Sequence, residues 1–197
     1  GLALGGGGGL AGGGGIGSAS CLRLAAEGAR VAVLDRDLDT AQKTVEAVRQ
    51  AGGQAAAFAC DITDRAQVDA AVAAVQAQLG PVAALVNNAG WDVFKPFLKT
   101  SPAEWDKLIA INLTGALHML HAVLPGMVER GYGRVVNVAS DAARGGSSGE
   151  AVYSACKGGL LALSKTLARE HARHAITVNA VCPGPTDTAL LADVAEG

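Results

Sequence analysis

The feature that most constrains this chain is an alternation of short apolar, β-branched runs with longer stretches of helical character. Residues 31–35, 55–60, 82–87, 134–140 and 175–181 read as strands, and 16–28, 38–51, 64–79, 102–130 and 150–174 read as helices. Strand–helix alternation builds a parallel sheet with helices packed on its faces. The predicted strands are apolar throughout, as strands covered on both sides are. Local signals agree with the boundaries. Ser101-Pro102 reads as an N-cap followed by a first helical residue, and Gly28, Gly52 and Gly80 close helices. The 197 residues, 50% of them hydrophobic, suffice for one packed core. The predicted fold class is α/β: a single domain with a doubly wound parallel sheet and helices on both faces.

Two regions break the pattern. Eleven of the 27 glycines fall within the first 17 residues. Leu2–Leu4 is a poor first strand, because five glycines follow it directly, and residues 1–11 read as irregular. At the other end, residues 187–197 carry no further strand pattern.

Charge and composition exclude several classes. A net charge of −2, from 16 basic and 18 acidic residues, gives no surplus for a polyanion, so nucleic-acid binding is not expected. No apolar run stands out at the ~20 residues of a membrane span, and no charged segment leads into an apolar one. A cytoplasmic location follows as an expectation. Cys21, Cys60, Cys156 and Cys182 are widely spaced and read as reduced thiols. His118 and His121 are near each other but have no third ligand close by, so no metal site is expected.

The motifs point to a dinucleotide. Gly12-Gly13-Gly14-Gly15-Ile16-Gly17 leads into a helix, where backbone amides and the helix N-terminus favour a pyrophosphate. Gly13, Gly15, Ile16 and Gly17 are the candidate contacts. Asp35 ends the second strand, where a carboxylate accepts hydrogen bonds from an adenosine ribose. It also repels a 2′-phosphate, so NAD is expected over NADP, with Arg36 as the counter-signal. Asp61, with Ile62 beside it, is either a contact to the adenine edge or a cap for the next turn. Asn87-Asn88-Ala89-Gly90 ends the fourth strand, at the end of a parallel sheet where ligands bind.

Tyr153 and Lys157 are four apart on a predicted helix and share a face. A free phenol, with a pKa of about 10, is a poor acid–base group near neutrality, and a neighbouring ammonium lowers that value. Tyr153 is thereby a candidate proton carrier for an alcohol–ketone pair, with Ser140 holding the substrate oxygen. Hydride would pass between C4 of the nicotinamide and the carbinol carbon.

Taken together, the Gly-rich turn, Asp35, Asp61, Asn87-Asn88-Ala89-Gly90, Asn112, Ser140, Tyr153-x-x-x-Lys157 and Pro183-Gly184 resemble the short-chain dehydrogenase/reductase family in order and spacing. The resemblance implies a Rossmann-type sheet and a nicotinamide-dependent oxidoreductase. It also implies roles that the residues alone do not give. Lys157 binds the nicotinamide ribose, Asn112 supports a water relaying protons to Lys157, and Pro183, Gly184 and Thr188 contact the carboxamide side. By the same resemblance the two long helices pack in a dimer or tetramer. The chain departs from the family in two places. Leu10-Ala11 stands where the family has Thr-Gly, and the family's last strand and substrate-binding lobe are expected beyond residue 197.

A narrower resemblance, to the 2-hydroxycyclohexanecarboxyl-CoA dehydrogenases of anaerobic benzoate degradation, is carried by three segments. They are Trp91-Asp92-Val93-Phe94-Lys95-Pro96-Phe97, Ser140-Asp141-Ala142-Ala143-Arg144 and Ser147-Ser148-Gly149-Glu150, and His171-Ala172-Arg173-His174 and the run 183–191 resemble those enzymes as well. It implies a CoA thioester substrate, with Arg144 as a candidate contact to the CoA side. A 3-oxoacyl-thioester reductase, using the same residues in reverse, is the alternative within the enzyme class. A non-catalytic Rossmann-like binding protein is the alternative outside it.

Overall fold

The computed structural model describes residues 2–4 and 15–186. Six strands form one sheet in the order β3-β2-β1-β4-β5-β6, with every pairing parallel. They are β1 (Leu2–Leu4), β2 (Arg30–Asp35), β3 (Gln54–Ala59), β4 (Ala84–Asn87), β5 (Gly133–Val138) and β6 (Ile176–Val181). The α/β parallel architecture expected from the alternation is the one found. Leu2–Leu4 is the exception to the expectations: it is a strand, and a central one, pairing Ala3 with Val33 of β2 and with Val86 of β4. A three-residue segment has little propensity of its own, but a ladder on each side supplies its backbone bonds.

The helices are α1 (Ile16–Ala26), α2 (Leu38–Gln50), α3 (Arg65–Leu79), α4 (Pro102–Ile109), α5 (Gly115–Arg130), the short α6 (Ala142–Gly145) and α7 (Ala151–His171). Two apolar clusters place them on the two faces. Cys21 and Ala25 of α1 and Val45 and Val48 of α2 pack on Val31 and Val33 of β2. On the opposite face Val68, Val72 and Val75 of α3 and Met119, Val123 and Met127 of α5 pack on Leu34, Leu85 and Val135, joined by Leu163 and Leu167 of α7. Side chains alternate along β2, so Val31 and Val33 serve one core while Ala32 and Leu34 serve the other.

The stretch Pro102–Arg130 is 29 residues long and apolar enough to cross a membrane by length and composition, contrary to the sequence reading. Met119, Leu120, Val123, Leu124 and Met127 of this stretch are buried in the core cluster, as in a core helix. It is not a single regular helix. Ser101 opens it with a capping box to Glu104, and a wide π-turn over Ala110–Thr114 interrupts it. Leu108 and Leu120 of its apolar stripe are buried, whereas Ile109 and Leu117 are exposed. The predicted strand start at Ala175 moves by one residue, because Ala175 takes a left-handed conformation (φ 53°) that closes the turn before β6.

Candidate active site

The strand order reverses between β1 and β4: the chain runs outward to β3, then returns to the centre and proceeds to β6. In such sheets the crevice at the carboxyl ends of the two diverging strands receives ligands. The segments that follow β2, β4, β5 and β6 reach this end, as does the start of α1, and they carry most of the sequence candidates.

Gly15 is extended (φ −163°) and precedes α1, whose N-terminus has no side-chain cap. Among the described residues, none comes within 4 Å of a Cβ added at Gly15, so none of them covers the start of the helix. Uncapped amides suit an anion. Ile16 and Gly17 form the first turn of α1. Gly13, Leu10-Ala11 and Thr188 lie outside the described residues. Asp35 is buried at the end of β2, where its Oδ1 accepts the Asp37 amide at 3.0 Å. Arg36 beside it is exposed.

Asp61 uses Oδ1 to accept from the Thr63 amide (2.9 Å) and hydroxyl (2.7 Å), so it caps its own turn. Asp64 separately caps α3 through the amides of Ala66 and Gln67. The Ile62 carbonyl pairs with His118 Nδ1 at 2.9 Å, which ties this turn to α5.

After β4, Asn88, Ala89 and Gly90 are half-buried. Gly90 has its neighbours drawn in tightly: a Cβ there would lie 3.2 Å from Asn112 Oδ1 and 3.4 Å from Lys157 Nζ. Gly90, Asn112 and Lys157 therefore converge. Asn112, 1% exposed, sits in the π-turn and donates Nδ2 to the carbonyls of Trp91 (2.7 Å) and Leu108 (3.0 Å), while its Oδ1 accepts the Trp91 amide (3.2 Å). What reads in sequence as a polar break in an apolar helix is a clamp on the loop after β4.

Tyr153 and Lys157 lie one turn apart on α7 and both are buried. A buried chain of side chains sets the height of α7 on the sheet. Asn87 of β4 donates to Asn137 of β5 (2.8 Å), and Asn137 donates to Ser164 of α7 (2.8 Å). Ser164 in turn donates to the Leu160 carbonyl (2.7 Å). Lys157 Nζ donates to the Val138 carbonyl at 3.0 Å and stands 5.5 Å from the centre of the Tyr153 ring. Ser140, two residues beyond β5, neighbours the Tyr153 phenol and accepts the Ala142 amide at 3.2 Å through its hydroxyl.

The electrostatics correct one expectation. The Tyr153 phenol is pushed up to about 12, first by burial and then by the Asp92 and Glu150 carboxyls, and the group that opposes the rise is Ser140. Lys157 was expected to lower it, but burial pulls the Lys157 ammonium itself down to about 8, against the pull of Cys156 and Asp92. Asp92, 9% exposed, is held up to about 7, first by burial and then by the neighbouring Glu150 carboxyl. Asp92 and Glu150 thus belong to the surroundings of Tyr153; Glu150 is three residues before it, whereas nothing in the sequence spacing signals Asp92.

Pro183 and Gly184 follow β6. The Pro183 carbonyl accepts the Asp141 amide at 2.9 Å, and a Cβ at Gly184 would meet nothing within 4 Å. Arg144, on α6, is exposed and 3.5 Å from Asp141. Among the described residues no cluster of His, Cys, Asp and Glu has the makings of a metal site.

Comparison with known proteins agrees with this geometry. The sequence pattern of the short chain dehydrogenase family matches residues 10–197. The chain is 41% identical to an acetoacetyl-CoA reductase of Rhizobium meliloti (strain 1021), over 92% of this chain and 74% of the reductase. Its fold matches an actinorhodin polyketide ketoreductase variant solved with NADPH, with a TM-score of 0.92 and 38% identity over 99% of this chain and 73% of the other. It also matches NAD+-bound xylitol dehydrogenase, with a TM-score of 0.84 and 38% identity over 87% of this chain and 66% of that one. The chain belongs to the short-chain dehydrogenase family and is an oxidoreductase of the class acting on hydroxyl and keto groups with a nicotinamide coenzyme.

Proposed function

We propose that this chain is an NAD-dependent dehydrogenase that oxidises a β-hydroxyacyl thioester to the β-keto thioester, with Tyr153 as the proton carrier. The preferred substrate in this reading is 2-hydroxycyclohexanecarboxyl-CoA, oxidised to 2-ketocyclohexanecarboxyl-CoA in aromatic-acid breakdown. The observation that carries the reaction is the convergence of Ser140, Tyr153, Lys157, Asn112 and Gly90 at the reversal of the sheet.

NAD, when bound, accepts the hydride of the carbinol carbon at C4 of its nicotinamide. Ser140 holds the substrate oxygen through its hydroxyl, and Tyr153 takes the hydroxyl proton in oxidation and returns it in reduction. A phenol held near 12 needs positive charge nearby to act at neutrality, and an oxidised nicotinamide is such a charge. An ammonium has three N–H donors, and Lys157 commits one to Val138, which leaves donors for a ribose hydroxyl. Both N–H bonds of the Asn112 amide are engaged by carbonyls, so its support of a relay water falls to Oδ1 or to its backbone. Gly15, Ile16 and Gly17, with Gly13 before them, take the pyrophosphate, and Asp35 takes the adenosine ribose. Ile62 and the free edge of Asp61 line the adenine. Asn88, Ala89 and Gly90 line the coenzyme from the β4 side, and Pro183, Gly184 and Thr188 the carboxamide.

The carboxylate of Asp35 at the ribose position supports NAD over NADP. Arg144, exposed beside the site, is assigned to the CoA phosphates. One sheet with a core on each face agrees with a single NAD-binding domain. Exposed Ile109 and Leu117 on the long helix support a dimer or tetramer. Free thiols at Cys21, Cys60, Cys156 and Cys182 agree with a cytoplasmic enzyme.

A second reading, reduction of an acyclic 3-oxoacyl thioester, is favoured by the identity to acetoacetyl-CoA reductase. The test is NADH formation with 2-hydroxycyclohexanecarboxyl-CoA and NADH or NADPH consumption with acetoacetyl-CoA, each beside Tyr153→Phe. Turnover of the cyclic thioester by the parent, lowered about 10²–10⁴-fold in the variant, supports the first reading. Turnover of acetoacetyl-CoA alone transfers the assignment to the second. A parent that binds neither coenzyme and turns over neither thioester supports a non-catalytic binding protein.

A further inference from the structure

We propose that Gly115 and His118 of α5 are positioning residues for the adenine end of the coenzyme, where they seat the Asp61–Ile62 turn, while the π-turn just before them clamps the nicotinamide end through Asn112. One helical run thereby holds both ends of the crevice. The proposal rests on the reading of Ile62 as an adenine contact.

The turn after β3 is held at its backbone from two sides. The Cys60 amide donates to the Asp35 carbonyl at 2.9 Å, which joins the turn to the residue assigned to the ribose. The Asp61 amide donates to Gln67 Oε1 of α3 at 3.0 Å. Neither bond fixes the side chain of Ile62.

The start of α5 does. Gly115 has φ −58° and ψ −42°, an ordinary helical backbone that any residue adopts. Glycine is among the poorest residues for such a position, so its presence there answers to packing. A Cβ at Gly115 would come within 2.6 Å of Ile62 Cγ1 and 3.2 Å of Ile62 Cβ. Ile62 is branched at Cβ and stiff at χ1, so it does not swing aside freely. Only a residue without a side chain lets Ile62 lie directly on the helix. Three residues on, His118 Nδ1 donates to the Ile62 carbonyl at 2.9 Å. A carbonyl only accepts, so Nδ1 carries the hydrogen. Residues three apart share a helix face, and this face receives the side chain of Ile62 at Gly115 and its backbone at His118. Asn112, three residues before Gly115, holds the Trp91 backbone of the loop after β4. The two loops assigned to opposite ends of the coenzyme are thus fastened to successive turns of one helical run.

The probe is ADP-ribose, which carries the adenine but no nicotinamide. It is titrated calorimetrically into the parent, Gly115→Ala, His118→Leu, His118→Asn, Ile62→Ala and the double variant of Gly115→Ala with Ile62→Ala. The melting temperature of each is measured without ligand. Gly115→Ala and His118→Leu are expected to weaken ADP-ribose binding about three- to tenfold, the size of one hydrogen bond's net contribution. His118→Asn, whose amide offers a donor near the place of Nδ1, is expected to bring binding back to within about twofold of the parent. In the Ile62→Ala background Cγ1 and Cδ1 are gone, and Gly115→Ala is expected to cause no further loss. A merely structural role would lower the melting temperature and leave the affinity of the folded protein unmoved. Parent-like affinity in both Gly115→Ala and His118→Leu overturns the positioning role, as does an equal loss from Gly115→Ala with and without the Ile62 side chain. Parent-like affinity in Ile62→Ala instead sinks the adenine reading, and a parent that takes up no ADP-ribose sinks the coenzyme site; either outcome removes the proposal with it.

Discussion

Asn112 and the backbone of Trp91 pair much as two strands would. The Trp91 amide donates to Asn112 Oδ1 at 3.2 Å, and Asn112 Nδ2 donates back to the Trp91 carbonyl at 2.7 Å. The pair fixes the loop after Gly90 against the π-turn and so helps to form the floor on which Lys157 stands. Asn112→Ala strips this loop of its two bonds and the Leu108 carbonyl of a third. Leaving buried backbone groups unmatched costs about 1–3 kcal/mol. For a chain of this size that is roughly 2–12 °C in melting temperature. Calorimetry on the variant is expected to fall in that range, with turnover reduced alongside. An unchanged melting temperature would show that water replaces the clamp.

The outline of the fold and the core of the site were legible because they are local. The strands β2 to β6 are apolar runs with helices between them, and Tyr153 and Lys157 share a face by helical spacing alone. β1 was not legible, because its three residues are held by ladders to segments distant in sequence. The clamp formed by Asn112 was equally out of reach, and for Asp61 the cap was one of two readings that the sequence left open. An Asp or Asn has the same letter whether it faces a ligand or a backbone amide. The phenol's electrostatics failed for another reason. Spacing shows that Lys157 is near Tyr153, but not that Nζ is turned to Val138, nor that burial and the carboxyl of Asp92, from the loop after β4, act on the phenol together with Glu150 at the head of α7.

The placement of the pyrophosphate at α1 gives a prediction that separates binding from folding. Gly15 has an extended backbone that any residue adopts, and a methyl there touches none of the described residues within 4 Å. Gly15→Ala is therefore expected to leave the melting temperature of the coenzyme-free protein within about 1 °C of the parent. The same methyl would occupy the space in front of the helix amides. NAD affinity, read by calorimetric titration, is expected to weaken about tenfold, or roughly 1.4 kcal/mol. Equal affinity in parent and variant would mean that the phosphates lie elsewhere.

Coenzyme choice is predicted to turn on Asp35. Its carboxyl is buried at the end of β2, where charge is poorly screened by water. Asp35→Ser removes an acceptor for the ribose hydroxyls and the repulsion of a 2′-phosphate together. Hydrogen bonds to a charged group contribute about 1.5–3 kcal/mol, so NAD binding is expected to weaken by roughly one to two orders of magnitude. NADP binding is expected to strengthen, helped by Arg36 next to it. A variant that keeps the parent's ratio of NAD to NADP affinity would remove Asp35 from the ribose site.

Lys157 carries a pH prediction whose sign is fixed by its burial. Its ammonium is lowered to about 8 from an ordinary 10.5. The unfolded chain therefore holds this proton more tightly than the folded one. Below about 8 both states are charged and the fold bears the cost of a buried ammonium. Between about 8 and 10.5 the folded lysine is neutral while the unfolded one is still protonated, so stability rises with pH across that window. The contribution is about 3 kcal/mol at full extent. The buried thiols of Cys21 and Cys60, raised to about 11, act in the opposite sense, since the unfolded chain ionises first. The lysine is isolated by comparing the parent with Lys157→Met, in which those thiols are unchanged. The melting temperature of the parent minus that of the variant is expected to increase from neutral pH toward the alkaline end of the window, while the variant has lost turnover throughout. A difference that stays flat with pH would mean that Lys157 remains an ammonium in the folded protein throughout the window, beside Tyr153 at alkaline as well as neutral pH.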